Sequence, residues 1–166
     1  GFGVETQSAA GTTGTININA SATVDAAAGN GAINDGPGNT TVTTSGNVKG
    51  RTILGSGNDV FNLSGGDYAG NVYGNEGEDF FNWSAGDLGV GFIGQSHPGF
   101  YGGDGADTAV ITAEASYQGT EILDGGGDSG DALTLQGHTV SASGYDIRSW
   151  GSVTLNETTL TLNNEE

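Results

Sequence analysis

Four aspartates at equivalent positions of a repeated glycine-rich phrase are the residues of this sequence best suited to chemistry. The phrase fits the pattern Gly-Gly-x-Gly-x-Asp-x-U, where U is apolar, and its aspartates are Asp59, Asp79, Asp107 and Asp131. If the copies stack at the strand spacing of about 4.8 Å, neighbouring carboxylates repel unless a cation or a proton lies between them. Calcium prefers about 6–8 hard oxygen ligands, and a glycine corner exposes backbone carbonyls beside each carboxylate. The residue types and their spacing therefore predict Ca²⁺ between successive corners.

Two further aspartates lie inside the phrase and are predicted as secondary calcium ligands. They are Asp104 in the third copy and Asp128 in the fourth. The copies depart from the pattern, since the second has Asn75 in place of a glycine and the fourth is shifted around Ser129. Glycine-aspartate turns also occur as purely structural corners, and this alternative stays open.

Apolar residues follow each aspartate at the spacing of a β-strand. Two residues after the aspartates come Phe61, Phe81, Ala109 and Leu133, and four residues after them come Leu63, Trp83, Ile111 and Leu135. Side chains two residues apart in a strand share a face, so stacked copies would form ladders of like side chains. The aspartates recur at intervals of 20, 28 and 24 residues with no helical pattern between them. The predicted fold is therefore all-β, a right-handed parallel β-helix (β-solenoid) with coils of about 20–28 residues.

The longest interval contains an insertion, residues 86–99. An insertion in a solenoid maps to a loop on one face, often the binding face, and Phe92, Ile93 and His97 are its predicted partner-binding residues. The alternative is that these side chains fold back over the coil. We expect residues 1–166 otherwise to form a single β-solenoid segment of a longer protein. Because the apolar coils run on to Leu162 without an amphipathic cap, we expect the native protein to extend further.

The charge balance excludes several classes of function. The chain has 3 cationic and 20 acidic side chains, which gives a net charge of −17. Such a field repels nucleic acids and anionic membranes and attracts cations or basic partners. There is no cysteine, hence no disulfide or thiolate metal site, and no apolar run long enough for direct membrane insertion.

The glycine-aspartate phrase resembles the calcium-binding nonapeptide of RTX (repeats-in-toxin) proteins, which Gram-negative bacteria secrete and which fold as a parallel β-roll. The resemblance implies that Ca²⁺ lies between adjacent turns, bound by Asp59, Asp79, Asp107 and Asp131 and by the carbonyl groups of Gly55, Gly57, Gly77, Gly103 and Gly105. RTX arrays run in uninterrupted nonapeptides, two per coil, whereas single motifs recur here at longer intervals. A tandem β-roll is therefore not expected.

The coil length is closer to that of a second family. Coils of this length, with endings such as Trp150-Gly-Ser-Val-Thr-Leu-Asn and Thr159-Leu-Thr-Leu-Asn, are similar to the β-helical passenger domains of bacterial autotransporters. Those passengers are displayed at the cell surface or released, and they serve as adhesins, proteases or toxins. The resemblance implies an extracellular or outer-surface location and a partner that is a host protein, a cell-surface protein or a glycan.

Catalysis is less favoured than scaffolding. The only histidines, His97 and His138, are isolated in turn-like contexts, and no nucleophile–base pair stands out. β-Helix enzymes that act on acidic sugars usually need a basic groove, and Lys49, Arg51 and Arg148 are the only cations. We therefore predict a non-catalytic scaffold or adhesin. Two alternatives stay open, a fragment of a carbohydrate-active β-helix enzyme and a host-receptor-binding effector that uses the insertion.

Overall fold

A computed structural model describes residues 3–6, 8–26, 31–89 and 98–163. These residues form parallel strands stacked as a β-solenoid of about six turns, with no helix among them. The predicted all-β solenoid is therefore confirmed. No helix long and apolar enough to cross a membrane occurs in the described ranges.

The strands are short because each turn of the solenoid changes direction at glycine-rich corners. In chain order they are β1 (Val4–Glu5), β2 (Thr13–Ile18), β3 (Thr23–Asp25), β4 (Gly31–Asn34), β5 (Asn39–Thr44), β6 (Asn47–Lys49), β7 (Arg51–Ile53), β8 (Val60–Ala69), β9 (Val72–Glu76), β10 (Phe80–Leu88), β11 (Gly99–Asp104), β12 (Thr108–Ile111), β13 (Ile122–Asp124), β14 (Ala132–Gln136), β15 (Thr139–Ser143), β16 (Ile147–Arg148), β17 (Ser152–Asn156) and β18 (Thr159–Asn163).

Two long parallel sheets form the walls of the solenoid. Sheet 1 has the order β1-β4-β7-β9-β11-β13-β16, and sheet 2 has the order β2-β5-β8-β10-β12-β14-β17. On a third side β3 pairs with β6 and β6 with the second half of β8, while β15 pairs with β18. Each turn therefore contributes one strand to sheet 1 and then one to sheet 2, as expected when parallel strands are joined without helices.

The register of sheet 2 confirms the alignment of the repeats on their aspartates. Phe81 pairs with Phe61 and with Ala109, and Ala109 pairs with Leu133. The two predicted ladders are at most 1% exposed, and they consist of Phe61, Phe81, Ala109 and Leu133 and of Leu63, Trp83, Ile111 and Leu135. Phe81 also stacks on Phe100 of sheet 1, with ring centroids 4.8 Å apart. Such aromatic pairs add about 0.5–1.5 kcal/mol beyond the burial of their area, so the rings join the two sheets firmly.

The corner from sheet 1 to sheet 2 requires backbone in the left-handed region. In the second copy of the phrase Asn75 has φ of 78° and Gly77 has φ of 133°. Asparagine tolerates this region better than other side-chain-bearing residues, so the replacement of a glycine by Asn75 preserves the turn. At Gly77 a Cβ would also collide with the carbonyl oxygen of Gly57 in the preceding turn. The close stacking of corners thus excludes larger residues there.

The predicted insertion leaves and re-enters the solenoid at one place. Gly89, its last described residue before the gap, lies so close to Pro98 that a Cβ on Gly89 would collide with the proline ring. Phe92, Ile93 and His97, the predicted partner-binding residues, lie outside the described residues. Their role stays a prediction.

Candidate functional site

The four aspartates of the repeated phrase form a single buried column at the corner between the two sheets. Each directly precedes a strand of sheet 2, and the strands that follow are paired in register. Asp59, Asp79, Asp107 and Asp131 are only 1%, 2%, 0% and 1% exposed. The structure therefore brings together all four predicted principal ligands, and it places them inside the solenoid.

Hydrogen bonds from the backbone connect the column from turn to turn. The N–H of Asp59 donates to Oδ1 of Asp79 (2.8 Å), and the N–H of Asp79 donates to Oδ1 of Asp107 (2.8 Å). The N–H of Asp107 donates to Oδ1 of Asp131 (2.9 Å), and the N–H of Thr40 donates to Oδ1 of Asp59 (2.6 Å). One carboxyl oxygen per turn thus satisfies a buried amide that would otherwise lack a partner.

A row of glycines in sheet 1 faces the column. A methyl group on Gly74 would collide with Oδ2 of Asp79 and with the carbonyl oxygen of Gly102 in the following turn. In the same way, a methyl group on Gly102 would collide with Oδ2 of Asp107 and with the carbonyl oxygen of Gly125. Gly74 and Gly102 make room for the carboxyl groups of Asp79 and Asp107, and each of these two Oδ2 atoms adjoins the same small space as a backbone carbonyl oxygen.

The second carboxyl oxygen has no hydrogen-bond donor. Oδ2 of Asp59, Asp79 and Asp107 is buried without a partner among the described residues. An ionised oxygen in this position is costly, because burial removes water and the nearby carbonyl is another acceptor. Either a proton on Oδ2 or a cation in the column would remove the repulsion.

Burial raises the pKa of the central carboxyl groups. The pKa of Asp59 rises to about 6, that of Asp79 to about 7 and that of Asp107 to about 6, and in each case desolvation is the largest cause. The single backbone hydrogen bond that each group accepts lowers the pKa by less, and the neighbouring aspartates raise it further. Without a cation, the middle of the column therefore keeps part of its protons near neutral pH.

Asp35 shows what a larger number of donors does. Burial raises its pKa, but its hydrogen bonds outweigh burial, so the pKa lies below its ordinary value. Its Oδ1 accepts the hydroxyl of Thr6 (2.5 Å) and the N–H of Ser8 (3.4 Å), whereas its Oδ2 is buried without a partner among the described residues. The strand register makes Asp35 equivalent to Gly74 two turns later, and it makes Thr40 equivalent to Asp59 in the next turn. Sequence reasoning missed Asp35, although the five-residue step from Asp35 to Thr40 equals that from Gly74 to Asp79 and could have revealed it.

The column ends at Asp131. Its Oδ2 accepts the N–H of Gly127 at 3.2 Å, unlike the Oδ2 atoms of the other three. In the next turn, Gly151 takes the equivalent position, because Ala132 pairs with Ser152. Within the column, the Oδ2 atoms without a donor are therefore those of Asp59, Asp79 and Asp107.

The predicted secondary ligands lie on the exposed side of the corner. Asp104 and Asp128 are both exposed, and Oδ2 of Asp128 accepts the N–H of Gly105 at 2.9 Å. The charge of Asp128 nevertheless contributes to the raised pKa of Asp107. These two residues are thus not part of the buried column.

The donor atoms of the column suit a hard cation. Among the described residues no three His, Asp or Glu side chains gather around a common metal position. An ion between turns would therefore take backbone carbonyl oxygens besides carboxylates, and the carbonyls of Gly102 and Gly125 adjoin Oδ2 of Asp79 and Asp107. Carboxylate and carbonyl oxygens are the ligands that Ca²⁺ prefers, so the chemistry of the donor set fits this ion.

His138, the one histidine within the described residues, is bound into the core. Its Nε2 lies 2.9 Å from the carbonyl oxygen of Thr112, and its ring packs edge-to-face against Tyr117. The side chain is buried, and its contacts are those of a packing residue.

Comparisons of the chain with protein-family models, with curated proteins and with solved structures give no match in any of the three. The RTX and autotransporter resemblances therefore stay hypotheses based on the sequence.

Proposed function

We propose that this chain is a non-catalytic β-solenoid segment, a scaffold or adhesive stalk located outside the cell or on the bacterial outer surface, whose buried carboxyl column binds Ca²⁺. The observation that carries the proposal is the row of three successive buried carboxyl oxygens without a donor, at Asp59, Asp79 and Asp107. A surface aspartate would serve a structural corner equally well. Burying three carboxyl groups in line is costly unless something neutralises them.

Calcium would supply that neutralisation without any catalytic step. Asp79 and Asp107 would hold the ion together with the carbonyl groups of Gly102 and Gly125, and the bound charge would stabilise the ionised carboxyl groups. Because a specific ion binds the folded state better than the unfolded one, it stabilises the fold by mass action. A solenoid of this kind would fold fully where free calcium is abundant, as it is outside the cell.

The net charge supports the role of a stalk. With a net charge of −17, the folded segment remains soluble and does not adhere to nucleic acids or anionic membranes. Such a surface suits a stalk that holds other parts of a protein away from an anionic bacterial envelope.

Thermal melts followed by far-UV circular dichroism test the proposal. We expect saturating Ca²⁺ to raise the stability measured in EDTA by about 2.7 kcal/mol at 100 times Kd, and an equal concentration of Mg²⁺ to raise it little. Asp107→Asn should reduce the shift, whereas the exposed Asp128→Asn should retain most of it. If a fully stable β spectrum persists in EDTA and neither ion moves the melt, the column is a structural corner only.

A further inference from the structure

The part of sheet 2 that follows the aspartate corner carries no charge on its outer surface, in a strongly acidic protein. We define the neutral face as the outward-facing residues of β2, β5, β12, β14 and β17 and of the first halves of β8 and β10. None of these residues is Asp, Glu, Lys or Arg, although the chain has a net charge of −17. The central row of the neutral face is Thr43, Asn62, Asn82, Val110, Thr134 and Thr154.

Acidic residues border this face on both sides. Glu76, Glu78 and Asp104 are exposed at the corner with sheet 1, and Asp67 and Glu114 are exposed beyond the opposite edge. An anionic polymer would be repelled by both borders, and a cationic one would find no partner on the face itself. The charge pattern therefore favours an uncharged ligand.

The amides and hydroxyls of the face are held in fixed positions. Nδ2 of Asn82 donates to Oδ1 of Asn62 (3.3 Å), and Nδ2 of Asn62 donates to Oγ1 of Thr43 (3.4 Å). An amide offers a donor and an acceptor side by side, which matches adjacent hydroxyl groups of a sugar. Ordering these groups before binding lowers the entropy cost of binding. An apolar partner, in contrast, would bury the remaining donors and acceptors of these amides without hydrogen bonds.

An exposed aromatic ring and a groove give the neutral face an apolar contact and a concave site for a ligand. The ring of Phe80, in the row beside Asn82, is 37% exposed and could pack against the C–H face of a sugar. At the edge of the face a groove of about 690 Å³ is lined by residues that include Thr112, Gln136, Asn156 and Glu114. A volume of this size is within the range of ligand sites in proteins.

We propose that the neutral face binds an uncharged polysaccharide, with hydroxyl groups bonded to Asn62 and Asn82 and with the chain continuing toward the groove at Gln136 and Asn156. This inference goes beyond the scaffold role, because it assigns a ligand class and a surface. It requires a folded solenoid but does not depend on whether Ca²⁺ stabilises the fold.

Affinity electrophoresis tests the inference on the full chain, in gels that contain a neutral polysaccharide (mannan, dextran or hydroxyethylcellulose) or an anionic one (alginate or pectin). We expect at least one neutral polymer, and neither anionic polymer, to retard the protein. Asn82→Asp and Thr134→Asp should each weaken binding about tenfold, since each places a charge on the face without a partner. Asn47→Asp is the matched control, because it adds the same charge on the third side and keeps the oxygen that accepts the N–H of Asp67. It should bind like the wild type.

Circular dichroism melts show whether each variant is folded, so that a loss of binding is not a loss of structure. The inference is overturned if no neutral polymer retards the protein, if anionic polymers bind equally well, or if both face variants fold and bind like the wild type. It is also overturned if sedimentation velocity shows a dimer that Asn82→Asp disrupts, because a second copy would then cover the face. None of these outcomes bears on the calcium response of the column.

Discussion

The backbone N–H of Asp59 donates to Oδ1 of Asp79 at 2.8 Å, while Oδ2 of the same carboxyl group is buried without a donor. The two oxygens of one carboxyl group thus differ in role. Oδ1 accepts a buried backbone N–H, which explains why the repeat needs an acceptor at this position in every turn. The Oδ2 atom, which has no donor, distinguishes an aspartate from an asparagine at this position, because only a carboxyl oxygen can bind a cation as an anion or carry a proton. Substitution of Asp79 by asparagine separates the two roles, because it keeps Oδ1 and replaces Oδ2.

Asp79→Asn should stabilise the protein in EDTA and abolish most of its calcium response. An asparagine keeps the Oδ1 acceptor for Asp59 and replaces the unsatisfied oxygen with an amide donor beside the carbonyl of Gly102. We expect a gain of about 1–3 kcal/mol at pH 8 without calcium, measured by urea unfolding. Asp104→Asn makes the same chemical change at an exposed position and should shift neither quantity. A large loss of stability in Asp79→Asn would contradict the proposed cost of the buried charge.

The stability of the calcium-free protein should fall as the pH rises from about 4 to about 7. The unfolded aspartates titrate near 3.8, whereas Asp59, Asp79 and Asp107 titrate at about 6, 7 and 6 in the fold. Between these values the folded state binds more protons than the unfolded state, so the free energy of unfolding decreases with pH and levels off above the folded pKa. We expect a fall in Tm on the order of 10 °C in EDTA.

Saturating calcium should remove most of this slope. Bound Ca²⁺ keeps the carboxylates ionised, so above about pH 5 neither the folded nor the unfolded state binds protons at these aspartates and the free energy of unfolding changes little with pH. Melts at several pH values, with EDTA and with Ca²⁺, give both slopes. Asp79→Asn should make the slope in EDTA shallower, because it removes one of the three carboxyl groups whose pKa is raised, and Asp104→Asn should leave that slope unchanged. Equal slopes with and without calcium would exclude the column as its binding site.

Much of the fold follows from the sequence because aligning the repeats on their aspartates also gives the pairing register of the strands. The aspartates align Phe61 with Phe81 and Leu63 with Trp83, and a strand period of two leaves one choice of inward face. Intervals of 20, 28 and 24 residues without a helical pattern then permit only stacked parallel strands. The insertion accounts for the longest interval, and its ends meet at Gly89 and Pro98.

The site was less predictable, because side-chain direction at a corner depends on backbone geometry that the pattern does not encode. Asp104 and Asp107 belong to one copy of the phrase, yet Asp104 is exposed and Asp107 is fully buried. The difference arises at Gly103 and Gly105, whose φ values of 116° and 124° turn the chain between them. The facing row of glycines, which makes room for the carboxyl groups, becomes visible only when successive turns are stacked.

Gly74→Ala should destabilise the protein through this facing row. Its Cβ would collide with Oδ2 of Asp79 and with the carbonyl oxygen of Gly102, and neither can move without breaking the ladder. We expect a loss of about 1–3 kcal/mol and a weaker calcium response, measured by urea unfolding with and without Ca²⁺. Gly144→Ala is the matched control, because a Cβ there meets nothing within 4 Å. Equal stability of the two variants would mean that the carboxyl group does not pack against Gly74.

Leu135→Ala and Leu155→Ala should differ strongly in cost, although the two leucines are neighbours in the same ladder. Leu135 is fully buried, whereas Leu155, its partner in β17, is 44% exposed. Truncating a buried leucine removes transfer free energy and leaves a cavity, so Leu135→Ala should cost about 2–5 kcal/mol. Leu155→Ala should cost less than about 1 kcal/mol, because its methyl groups already contact water. Urea unfolding at low protein concentration measures both. If the two variants lose equal stability, Leu155 is covered in solution, and repeating the measurement at higher dilution then shows whether a second copy covers it.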